Sequence, residues 1–422
     1  MNLNKPVLAP PQADPRDASN ALIASFLGWT LDAFDFFILV FCIPAIAKEF
    51  ATDIKAVAAT IGLTLAFRPV GAFIFGLLAD RYGRRLPLML NLVFFSVVEV
   101  LSGLAPNFGT FLVLRALFGI GMGGEWGVGA SLAMEKVAPR WRGALSGLLQ
   151  SGYAAGYLLA ACCYFTVFPL WGWRAMFFMG GLPALLALFL RYRVKESAVW
   201  EKSRQPTWSS LRVAILGNWK LFMGLTVYMT AMHLVSHGTQ DMYPTFLKEQ
   251  RGFSTRQVAV IAVAYNICAV AGCVFFGFLS DRIGRRRGII AAFCGAMLVV
   301  PLWAYAPSTG LLLLGACLLM FLVQGAFGVI PAHINELSPD SVRGFLPGFA
   351  YACGVIPAGY IAYVQALFAE HFGYSTAMAF TAVTVFALGI VANLPGRERR
   401  GATFGVDEER ANAAIESGID VN

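Results

Sequence analysis

The stretch GLLADRYGRR, residues 76–85, decides the fold, because it returns as GFLSDRIGRR at residues 277–286. The two blocks stand 201 positions apart. The same offset joins Glu135 to Glu336, Arg142–Gly143 to Arg343–Gly344, Gly147 to Gly348 and Gly172 to Gly373. A constant offset at separated places marks a duplicated unit with no net insertion.

Apolar sequence surrounds each block. Hydrophobic residues make up 58% of the 422 positions and charged ones 13%. Soluble domains carry nearer a quarter charged residues, so this chain expects an apolar solvent. A bilayer core takes about 20 apolar residues per helix, which leaves room for roughly a dozen spans with short loops. The 43 glycines suit helices that pack closely in lipid. Spans are predicted over 20–47, 56–79, 86–105, 108–133, 143–168, 175–191, 219–246, 256–279, 288–306, 309–334, 345–368 and 374–394. The fold class is therefore all-α integral membrane: 12 transmembrane helices in two pseudo-symmetric six-helix bundles. Residues 1–19 form a polar tail without the apolar core of a cleavable signal. Bundles over 20–193 and 219–394 flank a polar linker over 194–218, and a charged, mobile tail is expected over 395–422.

The net charge of +8 does not point to nucleic acid. The basic residues sit in short loops, where they set topology. One set of loops carries Arg81, Arg84, Arg85, Lys136, Arg140, Arg142, Arg282, Arg285, Arg286, Arg287 and Arg343, and the linker adds more. The opposite set carries Lys48, Lys55, Arg174, Lys248, Arg251 and Arg256. The richer side is expected in the cytoplasm with both termini, in a plasma membrane of bacterial inner-membrane type. The eight cysteines lie scattered in apolar segments, with no metal-ligand spacing. Trp171, Trp173 and Trp303 are read as interfacial anchors.

At this point the sequence resembles the major facilitator superfamily over nearly its whole length. The G-x-L-[AS]-D-R-x-G-R-R loop, present in both halves, is that superfamily's most specific signature. Arg115-x-x-x-Gly119-x-Gly121-x-Gly123 in span four is similar to its second, and Glu135…Pro139…Arg142-Gly143 with Glu336…Pro339…Arg343-Gly344 to its other loop signatures. Span five lacks the Gly-Pro pair of the drug:proton antiporters. A narrower resemblance lies in span seven: His233-Leu-Val-Ser236-His237-Gly-Thr239-Gln240-Asp241-Met-Tyr-Pro-Thr245. It is similar to the signature N-x-x-[ST]-H-x-[ST]-Q-D-x-x-x-T of the Jen-type lactate/pyruvate:proton symporters, grouped with sialate:proton symporters. His233 stands where that signature has Asn. GWTLDAFDFF in span one is similar to the same group. The resemblance implies a proton-coupled permease for short monocarboxylates. The departure at His233 leaves room for another carboxylate.

Charged groups within apolar spans are costly, about 2.5–3.5 kcal/mol at mid-bilayer on the insertion scale, and therefore face the bundle interior. The set is Asp32, Asp35, Arg68, Glu99, Arg115 and Glu125, with His233, His237 and Asp241 on span seven. Arg68, at mid-depth in IGLTLAFRPVGAF, offers a donor fork that matches a carboxylate anion; the alternative is an ion pair with Asp32, Asp35 or Glu99. Asp35 and Arg115 are expected to pair, either as a proton switch or as a static bridge, and Glu125 is a rival proton carrier. His233, His237, Gln240 and Asp241 share one helical arc of about 100°. His237 and Asp241 stand one turn apart and can couple proton to anion. Gln324 is a candidate cavity residue, and His333 reads as structural. Asp80, Arg81, Arg84, Glu135 and Arg142, with Asp281, Arg282, Arg285, Glu336 and Arg343, are expected to form a conformational latch away from the substrate.

The leading function is secondary active transport of a short monocarboxylate with a proton. Sugar acids such as sialate, or aromatic acids, are the alternative substrates. The partners are the carboxylate, protons and the lipid bilayer, and a monomer is expected. A polytopic enzyme would need a catalytic cluster, and no HExxH, CxxC or Walker motif is present, so no cofactor and no metal is expected. A nutrient sensor without transport is the third class.

Overall fold

The computed structural model describes residues 15–202 and 207–405. Those residues form helices and turns, with no strand among them. Residues 1–14, 203–206 and 406–422, which hold parts of both tails and of the linker, lie outside the described residues.

Twelve spans follow in order. The first half is Pro15–Glu49, Ile54–Tyr82, Arg85–Gly103, Phe108–Lys136, Arg142–Thr166, and a sixth span split into Phe168–Met179 and Pro183–Arg193. The second half is a seventh span split into Trp219–Gln240 and Tyr243–Glu249, then Thr255–Ile283, Arg285–Tyr305, Thr309–Leu337, an eleventh span split into Leu346–Ala358 and Ile361–Phe372, and Tyr374–Asn393. Among the described residues, nine helices are long and apolar enough to cross a membrane unaided; spans five, six and seven are the others. Span five is rich in Gly, Ser and Gln, span six breaks at Gly180–Leu182, and span seven carries its polar face inward.

The duplication reaches the helix ends. Asp53 caps span two and Ser254 caps span eight; Asn107 caps span four and Ser308 caps span ten. Each pair is separated by the same offset as the loop motifs. A side chain that accepts from an otherwise unpaired helix N–H stabilises its helix by about 1 kcal/mol. Gly83 and Gly284 share a left-handed backbone, at φ 93° and 103°. Gly172 and Gly373 do likewise at φ 72° and 77°. These four turns need a residue without Cβ strain.

The halves meet along spans two and eleven, five and eight, five and ten, and four and eleven. Spans three and nine pack on helices of their own half. Close approach at the seam depends on glycine: a Cβ on Gly127 would collide with the backbone of Gly348 across the halves.

Two expectations are corrected. Trp173 and Trp303 are buried in the helix core and only Trp171 is exposed, so one of the three suits an interfacial anchor. The linker between the halves contains helices Ala198–Lys202 and Trp208–Gly217. Residues 395–405 are not a free tail, because they fold back onto the basic face, where Phe404 is buried.

Candidate functional site

Spans one, two, four, five, seven and eleven converge at mid-depth. Arg68 sits at the middle of span two and is 5% exposed. Its guanidinium carbon lies 6.0 Å from the ring centre of Trp29 and 5.7 Å from that of Tyr351. Among the described residues, no carboxylate comes within 4.0 Å of it, and its Nε has no protein acceptor. The expected alternative of an ion pair with Asp32, Asp35 or Glu99 is therefore not made. Asp32 and Glu125 stand within electrostatic reach of Arg68 but do not touch it. Both Asp32 oxygens are buried without a donor, as is Oε2 of Glu125, which packs against Gly28. A buried charge without a partner is among the most costly features a fold can carry.

Aromatic rings wall the same place. Trp126 stacks on Tyr351 at 3.9 Å across the two halves, and Trp29 stacks on Tyr153 at 5.5 Å. His233 meets the edge of Tyr351 at 4.5 Å. Nε1 of Trp126 donates to Gln150 at 3.1 Å, whereas the buried Nε1 of Trp29 has no acceptor. Sequence reasoning missed Trp29, Trp126 and Tyr153 as site residues. The available signal was depth: Trp29 and Trp126 stand inside their spans, far from the interface where tryptophan usually lies.

Span seven supplies the opposite wall. Its helix ends at Gln240 and Asp241 caps it, so the polar arc lies on the last turns before the break. His237 Nδ1 is 3.0 Å from Asp241. Gln240 donates to the Ser236 hydroxyl at 2.7 Å and Gln324 approaches the same hydroxyl at 3.4 Å. Ser236, quoted within the motif but not singled out, is the hub. His233 holds the Met229 carbonyl at 2.8 Å and is buried. The side chains of His237 and Asp241 are 25% and 34% exposed, while Trp126 is 2% exposed. Exposure thus falls from the span-seven break toward Trp126 and the basic face. The more exposed end of the span-seven polar arc lies away from the arginine-rich loops. His333, read as structural, is buried beside Tyr228 near the basic end.

A second buried cluster corrects another expectation. Arg115 does not pair with Asp35. Its Nη2 donates to Glu99 at 2.5 Å and to Ser102 at 2.5 Å, within a shell of Phe111, Phe118 and Phe177. Span three packs directly on span four, which presents Glu99 to Arg115. Asp35 faces the break of span six at Gly180, and neither of its oxygens has a donor.

On the basic face the loop motifs join the halves reciprocally. Asp80 accepts from the backbone N–H groups of Gly344 and Phe345 at 2.8 and 3.0 Å. Asp281 accepts from Gly143 and Ala144 at 2.8 Å each. Arg84 binds Asp80 and Glu135 at 2.9 and 3.0 Å, and Arg285 binds Asp281 and Glu336 at 2.7 and 2.9 Å. Arg142 reaches Glu336 at 3.1 Å and Arg343 reaches Glu135 at 3.9 Å, both across the seam. Burial works against the charge of Arg84, but Glu135 and Asp80 outweigh it and push its pKa above the usual arginine value. Arg81 and Arg282 stay out of this network and lie over Tyr82 and Phe278. Glu196 and Glu398, which the sequence reading passed over, accept from the first N–H groups of spans three and nine.

Comparison with known proteins agrees with this architecture. Residues 21–207 match the family model described as sugar (and other) transporter, and residues 239–417 match that of the major facilitator superfamily. A protein of Cupriavidus pinatubonensis described as a probable 4-methylmuconolactone transporter is 32% identical over 90% of this chain and 90% of its own. A carboxylic acid transporter protein homolog of Saccharomyces cerevisiae is 27% identical, over 90% of this chain and 68% of its own. The solved proton:xylose symporter superposes with a TM-score of 0.75 at 19% identity, covering 93% of this chain and 99% of that one, a likeness of fold.

Proposed function

Given that the chain belongs to the major facilitator superfamily of secondary transporters, we propose that it carries an organic monocarboxylate together with a proton. The observation that supports this most is Arg68: a buried guanidinium at mid-span with no carboxylate of its own. A substrate carboxylate completes it through two parallel hydrogen bonds. Asp32, Asp35 and Glu125 are the proton-exchange candidates, and His237 with Asp241 stands at the open end of the site as the entry point. The span-seven signature points to acids of the lactate and pyruvate type. The yeast relative, described as a carboxylic acid transporter homolog, agrees with the carboxylate. Ring acids and sugar acids meet Arg68 through the same group and are the alternative.

Alternating access follows from the seam. With the basic face in the cytoplasm, the paired latches hold the cytoplasmic side shut while the site faces outward. Loading with anion and proton neutralises the buried groups and lets the halves rock. The protein acts as a monomer in a bacterial inner membrane.

The test is uptake of labelled lactate, pyruvate and benzoate into proteoliposomes with an imposed acid-outside gradient. Accumulation of any of them that a protonophore collapses supports proton symport of carboxylates. Binding without accumulation points to a sensor; neither binding nor uptake of any acid rejects the carboxylate.

A further inference from the structure

We infer that the transported acid bears its carboxylate on a flat unsaturated ring, which lies against the faces of Trp29, Trp126, Tyr153 and Tyr351 while Arg68 holds the anion. This rests on the carboxylate reading above and, for the body of the acid, favours the ring acids named there as an alternative over the lactate type. Two observations carry it. The walls around Arg68 are rings, supplied by spans one, four and five from one half and span eleven from the other. Each neighbouring amide has one of its two polar atoms engaged within the protein: Gln150 Oε1 by Trp126, and Nε2 of Gln240 and of Gln324 by Ser236. A sugar acid would present many hydroxyls to walls made largely of rings, and a small hydroxy acid would use little of that aromatic surface. Beside the unpartnered carboxyl oxygens of Asp32 and Glu125 and Nε2 of His233, the unclaimed donors are the Arg68 fork and the indole N–H of Trp29. They suit a carboxylate and one further acceptor on or near the ring. Because Tyr351 belongs to the second half, a ring seated against both Trp29 and Tyr351 is gripped only as the halves come together.

The experiment is competition against gradient-driven uptake by benzoate, nicotinate, lactate and cyclohexanecarboxylate, the last matching benzoate in bulk but not in flatness. Benzoate or nicotinate should compete at least about tenfold better than cyclohexanecarboxylate and lactate, the size expected of well-placed ring stacking. Tyr351→Leu should erase most of that preference, and Tyr351→Phe should keep it. Equal or better competition by lactate or cyclohexanecarboxylate, with uptake still dependent on Arg68, overturns the ring inference and leaves the carboxylate reading standing. Failure of every acid overturns both. Should Tyr351→Leu fail to insert, the competition series on the unaltered protein decides alone.

A different place carries a second inference: the structure assigns Phe404 the part of a wedge that holds the basic face shut. Its ring lies 3.8 Å from the guanidinium carbons of both Arg142, from the first half, and Arg343, from the second. It is buried in a cluster with Leu22, Met134 and Leu149 of one half and Ala332 of the other. Backbone bonds seat it: Arg142 donates to Ala402 at 2.8 Å, and Gly405 donates to Asp340 at 2.8 Å. Two like charges brought close across a seam repel, and a ring between them turns that repulsion into two cation–π contacts. Separation of the halves must break at least one. Spin labels at Lys55→Cys and Glu249→Cys, exposed on the opposite face of each half and placed in a background without the native cysteines, report the conformer. Phe404→Ala should shift the population toward the shorter opposite-face distance by about fivefold, and Phe404→Trp should keep the original distribution. Phe404→Leu separates burial from charge: a shift like that of alanine supports the cation–π wedge. An unchanged distribution in Phe404→Ala overturns it.

Discussion

The two halves share their latches but not their buried charges. Asp80, Arg84, Glu135 and Arg142 have counterparts in Asp281, Arg285, Glu336 and Arg343, and Asp80 and Asp281 accept equivalent crossing hydrogen bonds from the opposite half, at 2.8 and 3.0 Å and at 2.8 Å each. The six ionisable groups inside the first half, Asp32, Asp35, Arg68, Glu99, Arg115 and Glu125, meet His233, Ser236, Ala269, Val300, Ala316 and Ala326 at the same offset. Symmetry is kept where the halves must rock against each other and lost where one ligand must be held. A duplicated scaffold supplies the motion, and the divergent interior supplies the chemistry.

The largest effect should come from breaking the asymmetric pair Glu99–Arg115. Arg115→Ala leaves a buried carboxylate alone and should lower stability by about 3–5 kcal/mol. The double change Glu99→Val with Arg115→Ala copies the second half's Val300 and Ala316 and should restore most of that stability, since two apolar residues often replace a buried pair at little cost. Thermal unfolding in detergent checks both. If the pair serves proton coupling, the stable double variant should exchange substrate across the membrane yet fail to accumulate it against a pH gradient. Full accumulation would make the pair a structural bridge alone.

Next in size is Arg68→Lys. An ammonium keeps the charge but not the planar fork, so uptake should fall by about a hundredfold while the protein remains in the membrane. Undiminished uptake would remove Arg68 from the site. On the symmetric side, Asp80→Asn and Asp281→Asn each weaken two crossing backbone contacts of charged hydrogen-bond type. Either should lower turnover by about tenfold, on the scale of about 1.5–3 kcal/mol for such bonds. Similar losses would sharpen the symmetry; a loss in only one would show that one latch governs the cycle.

These contrasts also mark what was legible beforehand. The twelve-span duplication could be read because a repeated motif carries its own register and apolar runs announce spans. Span six was placed too late because its first turns end at Gly172, whose φ of 72° breaks the helix before Trp173. Arg68 and His237 stood out as candidates because charge inside an apolar run is rare. The Asp35–Arg115 pairing was misassigned because partner choice depends on which helices touch, and span three brings Glu99 nearer than any one-dimensional pattern reveals. The ring walls were hidden for a similar reason: aromatic residues are common here, and only the fold shows which of them surround a charge. Phe404 lay in a stretch whose composition reads as a solvated tail, while its burial comes from two arginines distant in sequence.

The smallest effect should come from His237, on the half with few charges. Its ring touches Asp241 at 3.0 Å near the opening, so it can pass protons without holding the substrate directly. His237→Gln keeps a hydrogen-bonding group beside Asp241 but cannot titrate. Imidazole is the side chain whose charge changes most readily around neutral pH, so the variant should flatten the pH dependence of uptake there. The maximal rate at the best pH should change only about two- to fivefold, because proton transfer past the entrance has Asp241 as a second route. A flattened profile with affinity retained would divide the labour: anion binding on the first half, proton entry on the second. A profile that keeps its slope would move proton entry to the unpartnered carboxyls of Asp32, Asp35 and Glu125, and the first half would then hold both the anion and the proton.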